Sequence, residues 1–100
     1  MIVHRWQAPI LPTEEQIITI FEREGLRPFK EIYEKEIVTT MCRYPFDEVR
    51  MLVKGSILFD IAGNRLLLRT GDKIAIPANT KHSKTIQDFP CVCIYSYKLF

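Results

Sequence analysis

The stretch Gly71-Asp72-Lys73-Ile74-Ala75-Ile76-Pro77-Ala78-Asn79-Thr80-Lys81-His82-Ser83 is compatible with few folds. Glycine takes positive φ without steric cost and aspartate bonds its own backbone, so Gly71-Asp72 opens a turn. Lys73 to Ile76 alternates polar and apolar side chains, the pattern of a half-buried strand. Pro77 has no N–H for a ladder and ends that strand. Asn79 tolerates the left-handed region, so the chain reverses there and restarts at Lys81. In the next strand His82, Lys84 and Ile86 share one face, with Ser83 and Thr85 on the other. An imidazole therefore stands at the head of a strand, just past a tight turn.

A second anchor lies upstream, Cys42-Arg43-Tyr44-Pro45-Phe46-Asp47-Glu48-Val49-Arg50. From Glu48 to Val53 the chain alternates. Val49, Met51 and Val53 take one face, and Glu48, Arg50 and Leu52 the other. Gly55-Ser56 predicts a turn. Ile57–Ile61 and Arg65–Arg69 read as strands joined through Ala62-Gly63-Asn64, a hairpin signal. Gln87–Pro90 predicts another turn, and Cys91–Leu99 a final apolar strand. Ile37–Met41 is β-branched and reads as a strand. Leu26–Lys35 follows no clean period; Pro28 excludes a helix interior there, and a strand is the expectation. Short strands with turn signals about every 8–12 residues argue for a sandwich or barrel.

Ahead of the strands, Thr13 is a good N-cap and Gln16 completes a capping box. Ile17, Ile20 and Phe21 form an apolar face at helical spacing, and Gly25 is placed to end the helix. The expected layout is one domain over residues 1–100: an extended arm at 1–12, a helix at 13–25 and a β-barrel at 29–100. In the arm, Trp6, Ile10 and Leu11 are large apolar groups available to cover the barrel or a second subunit.

Gly71, five residues, Pro77, one residue, Asn79, two residues, His82 resembles the second sequence motif of the cupin family, with Asn79 in place of a glycine. Glu48, six residues, Gly55 resembles the second half of the first cupin motif. The two histidines of that motif would fall at Cys42 and Tyr44. The resemblance runs over about residues 36 to 97 and implies an all-β, antiparallel jelly-roll barrel, the double-stranded β-helix of small single-domain cupins, here with one short N-terminal helix. It also implies a ligand set converging on one metal in the bore, which would here be Cys42, Tyr44, Glu48 and His82. Thiolate, imidazole and carboxylate suit zinc, imidazole with carboxylate suits iron, and a phenol also ligates iron; the candidate divalent metals are Zn, Fe, Mn and Ni. Arg50 and Lys84 share the faces of Glu48 and His82, so they should point into the same bore. A guanidinium there can claim Glu48 and disfavours a dication.

With 14 basic and 12 acidic residues, interspersed, the net charge is +2. That implies neither nucleic acid nor membrane as partner. No apolar run approaches the ~18 residues of a membrane span, and the start shows no secretory pattern. The cysteines, Cys42, Cys91 and Cys93, are odd in number and lack a CxxC spacing. Reduced thiols in a cytoplasmic protein are the expectation. The leading functional reading is a metal-independent, or weakly metal-binding, cupin whose bore residues Tyr44, Glu48, Arg50, His82 and Lys84 hold a small polar or anionic molecule. The resemblance also admits a metal-dependent enzyme of the dioxygenase, isomerase or decarboxylase class, and a non-catalytic structural cupin. It implies a homodimer.

Overall fold

The structure, a computed structural model, describes residues 2–98. Met1, Leu99 and Phe100, and with them the end of the expected final strand, lie outside the described residues. The elements are β1 (Ile2–His4), α1 (Glu14–Arg23), β2 (Phe29–Tyr33), β3 (Ile37–Val38), β4 (Asp47–Ile61), β5 (Asn64–Arg69), β6 (Lys73–Ile76) and β7 (His82–Lys98). All strand pairs are antiparallel. The architecture is the all-β jelly-roll barrel with one short helix.

Its spine is the pairing of β4 with β7, which runs from Asp47↔Lys98 to Ile61↔His82. On the free side of β4, β6 pairs with Glu48–Met51 and β5 with Ser56–Ile61. On the free side of β7, β3 pairs with Thr85–Ile86 and β2 with Cys91–Tyr95. β1 extends the sheet beyond β6. Each long strand thus serves two flanking partners.

Gly55-Ser56 and Gln87–Pro90 are not turns, as their residue types predict, but interior segments of β4 and β7. The register slips between Leu52 and Leu58, and Gly55 sits in that stretch at φ +91°. A Cβ on Gly55 would lie 3.1 Å from Asp88 O and from the Cys91 Cα, so a side chain there would need the β7 backbone to give way, at a φ that L residues rarely adopt. The slip exchanges the two faces of β4. Leu52 points into the barrel before it, and Ile57, Phe59 and Ile61 point in after it. β7 changes phase in the same way, from Ile86 to Cys91 and Cys93.

Two apolar clusters result. One fills the barrel with Leu52, Ile57, Phe59, Ile61, Leu68, Ile74, Ile76, Ile86, Cys91 and Cys93. The other lies behind the sheet, where Ile17 and Phe21 of α1 pack on Val49, Met51 and Ile94. The capping box of Thr13 and Gln16 is formed, and Leu26 N–H donates to Phe21 O around Gly25 at φ +75°. Burial of Ile17 and Phe21 contributes roughly 2 kcal/mol each, against about 1 kcal/mol for the cap, so docking holds the helix more than its own ends do. Among the described residues no helix is long and apolar enough to cross a membrane.

The arm is more ordered than the sequence suggests. Residues 2–4 form β1 on β6. Trp6 then closes over Gly71, where an added Cβ would meet the Trp6 side chain at 2.8 Å. Asp72 fastens the corner: its carboxylate accepts from Arg5 Nη1 at 2.6 Å, Trp6 N at 3.0 Å and Arg69 N at 3.0 Å. Burial works to raise its pKa, but the Trp6, Arg5 and Arg69 donors outweigh that and hold it below the usual carboxylate value. The lowered folded value means that this stability is present above the unfolded pKa of about 4 and is lost as pH falls through the folded one. Asp72→Asn should therefore cost about 2 kcal/mol at neutral pH and flatten the acid limb of a plot of Tm against pH. Thermal unfolding of the two proteins from pH 7 down to about 3 checks both.

The β4–β5 hairpin is closed by two residues, Ala62 and Gly63, at φ +50° and +87°, with Ile61 paired to Asn64. Such a turn needs positive φ at both positions. Alanine is strained there, by about 1 kcal/mol. Ala62→Gly should raise the unfolding free energy by that much, read as a higher urea midpoint at unchanged slope.

Candidate functional site

Four backbone and side-chain bonds stitch the two sequence anchors together. Cys42 and His82 exchange both backbone bonds, at 2.8 and 3.0 Å. Asn79, at φ +62° as its residue type predicts, donates its N–H to Tyr44 O at 2.7 Å. Ala78 N–H donates to the Asp47 carboxylate at 2.8 Å. The loop that delivers His82 is thereby pinned to the segment that carries Cys42 and Tyr44 into β4.

The candidate residues form two groups. At the rim, Cys42 Sγ lies 3.8 Å from His82 Nε2, and the Tyr44 ring lies 5.5 Å from the imidazole, centroid to centroid. His82 Nδ1 is 2.9 Å from Thr80 O. A carbonyl only accepts, so Nδ1 carries a proton. A hydrogen bond with Cys42, and burial after it, push the Tyr44 phenol up to about 12.

Deeper, Arg50 is the largest fully buried side chain. Its Nη1 donates to Glu31 Oε1 at 2.7 Å and to Cys93 Sγ at 2.9 Å, and its Nη2 lies 3.6 Å from Glu48 Oε1. Its guanidinium carbon stands 4.9 Å above the centre of the Tyr95 ring. Burial opposes its charge; Cys93, Glu48, Tyr33 and Glu31 more than compensate, and its pKa lies well above the usual value. Lys84 donates to the Tyr33 hydroxyl at 3.0 Å, and that hydroxyl donates in turn to Glu31. Burial and the nearby Arg50 lower the Lys84 pKa. For Glu31, burial raises the pKa, but Tyr33, Arg50 and Lys84 overcome it and the net shift is downward.

A row of aromatic rings lies beside the ion network. Phe29, Tyr95, Tyr97, Phe46 and Tyr44 follow one another with ring centres 4.3 to 5.7 Å apart. Phe29 and Tyr97 are each 41% exposed, while Tyr95 carries Arg50.

Of the residues singled out in the sequence, Cys42, Tyr44 and His82 stand together, and Glu48, Arg50 and Lys84 belong to the ion network. Glu48 faces the Arg50 guanidinium. Among the described residues no group of three or more His, Cys, Asp and Glu side chains is placed to hold a metal ion. A cation using Glu48 would meet a buried arginine that cannot lose its proton. The residues present do not fit the metal centre that the family resemblance implies.

Sequence reasoning missed Glu31, Tyr33, Cys93, Tyr95 and Tyr97. Phe29, Glu31 and Tyr33 alternate on β2, and Cys91, Cys93, Tyr95 and Tyr97 on β7, so a period of two was present in both. Which face looked inward was hidden by the phase change in β7.

No protein-family profile and no curated protein sequence matches the chain. Solved structures do, and they show the fold to be that of the cupins. One is KdgF from Halomonas sp., 18% identical, with a TM-score of 0.67 over 75% of this chain and 69% of that one. A putative mannose-6-phosphate isomerase from Ralstonia eutropha JMP134 is 23% identical, with a TM-score of 0.66 over 78% of each chain. An RmlC-like cupin from Shewanella frigidimarina NCIMB 400 is 17% identical, at a TM-score of 0.66 over 75% and 67%. The chain spans only 38% of the DMSP lyase DddQ from Ruegeria pomeroyi DSS-3.

Arg50→Leu would leave Glu48, 3% exposed, without its counter-charge. The expected loss is about 3–5 kcal/mol, read as a fall in the urea midpoint at neutral pH. A loss below about 1 kcal/mol would mean that the pair behaves like a surface salt bridge.

Proposed function

We propose that this chain is a small-molecule-binding cupin that holds a small anionic, hydroxylated or planar ligand at the mouth of its barrel, without a metal. The observation that carries the reading is a row of aromatic rings in which Tyr95 lies against a buried cation. Phe29 and Tyr97 face solvent, Tyr95 is stacked against Arg50, and Lys84 stands beside it with its side chain 17% exposed. Rings of this kind receive the apolar face of a sugar or planar acid, and the cations fix its charged end. The name of one structural neighbour, a putative mannose-6-phosphate isomerase, falls in the class of hydroxylated anions; at 23% identity it supports the fold and lends no reaction.

The reading is tested by thermal shift with a panel of hydroxy acids, amino acids, aromatic acids and sugar phosphates. A true ligand at a hundred times its Kd stabilises by about 2.7 kcal/mol. Lys84→Met should weaken the response to every active anion by about tenfold, the loss of one charge-assisted contact. A panel without any response, or one that Lys84→Met answers as well as the wild type, removes this function.

A further inference from the structure

The anion site is already filled, and by the protein itself. Oε1 of Glu31 is shared among Arg50 Nη1 at 2.7 Å, the Tyr33 hydroxyl, and Lys84 Nζ at 4.0 Å. These are the cationic and hydroxyl donors that an incoming anion would use. Glu31 comes from β2, which lies at the end of the sheet and pairs with β7 alone. Its side chain is 36% exposed, against 1% for Arg50. The carboxylate therefore has solvent to swing into, and the guanidinium has nowhere to go. The Arg50 Nε donor is meanwhile buried without a partner among the described residues, so those residues do not exhaust the cation's hydrogen-bonding capacity.

Resting on the small-molecule reading above, we infer that Glu31 is a built-in stand-in for the ligand, that the ligand's anchoring group is a carboxylate, and that binding displaces Glu31 from Arg50, Tyr33 and Lys84. The group in place shows what the donors fit: one carboxylate oxygen. A phosphate dianion suits them poorly. The other arm of the guanidinium already faces Glu48, 3% exposed, and a second negative charge beside that buried carboxylate would be repelled. Glu31 then sets specificity by competition. A ligand must outbid a tethered carboxylate, so weak or neutral molecules are turned away. The apparent affinity of the free protein is lowered by the fraction of time that Glu31 occupies the site.

The test is rescue by simple acids. Wild type, Glu31→Gln and Glu31→Asp are followed by thermal unfolding in sodium formate, acetate or propionate. Sodium chloride at matched ionic strength is the control, and inorganic phosphate the competing class. Glu31→Gln should melt below wild type in chloride, because Arg50 loses a counter-charge. The carboxylates should restore it, with half-maximal effect at a concentration roughly tenfold or more below that needed by wild type. Glu31→Asp, one methylene shorter, should fall between them. If Glu31→Gln does not fold in chloride, recovery of the folded signal in formate supports the inference and its failure overturns it. Equal responses of wild type and Glu31→Gln, or an equal response to phosphate, overturn it while leaving the small-molecule reading intact. A panel and simple acids that all fail to act remove both.

Discussion

The pairing of β4 with β7 carries the rest of the molecule, and its decisive feature is the slip in register beside Gly55. A straight ladder of this length would keep one set of alternate residues inside throughout. The slip lets each strand lend even-numbered positions to the bore at one end and odd-numbered ones at the other. It therefore decides that Arg50 and Tyr95 meet, that Glu48 lies beside them, and that Val49, Met51 and Ile94 are freed to bury α1. Gly55 is the residue that permits this, since β7 passes within 3.1 Å of where a Cβ would stand.

Within that frame Arg50 is an expensive choice. Removing a guanidinium and a carboxylate from water costs several kcal/mol per ion, and a well-packed apolar set of the same volume is often as stable or more so. Glu31, Glu48 and the Tyr95 face recover much of the penalty, yet Nε is left without a partner among the described residues. Stability alone gives no reason for such a group beside this row of aromatic rings. A requirement for fixed positive charge does, and it is the physical ground of the small-molecule proposal.

The turn chemistry around Asn79, the capping box at Thr13 and the spacing from Gly71 to His82 were legible because each depends on local backbone rules. So was the shared face of Glu48, Arg50 and Leu52, all three of which are buried. The continuity of β7 through Gln87–Pro90 was not, because proline and exposed polar residues signal a break unless a neighbouring strand bridges them, and Ser56 pairs with Asp88 there. Glu31 was hidden for a related reason. The segment around it has no clean period, being an edge strand whose even positions look outward, with Ile32 52% exposed. The carboxylate closest to Arg50 could not be found from chain distance; it is set by the β2–β7 register, which puts Glu31 opposite Cys93.

The same register explains why a metal and this arginine are alternatives. In the bore a dication needs several anionic or imidazole donors turned toward one point. Here Glu48 and Glu31 are turned toward Arg50 instead, and His82 stands with Cys42 and Tyr44. A guanidinium cannot be titrated away to release those carboxylates, so the charge that a metal would bring is already present, fixed in place and covalently attached. What the barrel loses is Lewis acidity. What it keeps is a fixed charge that needs no loading, held against the Tyr95 ring and paired with Glu31 and Glu48.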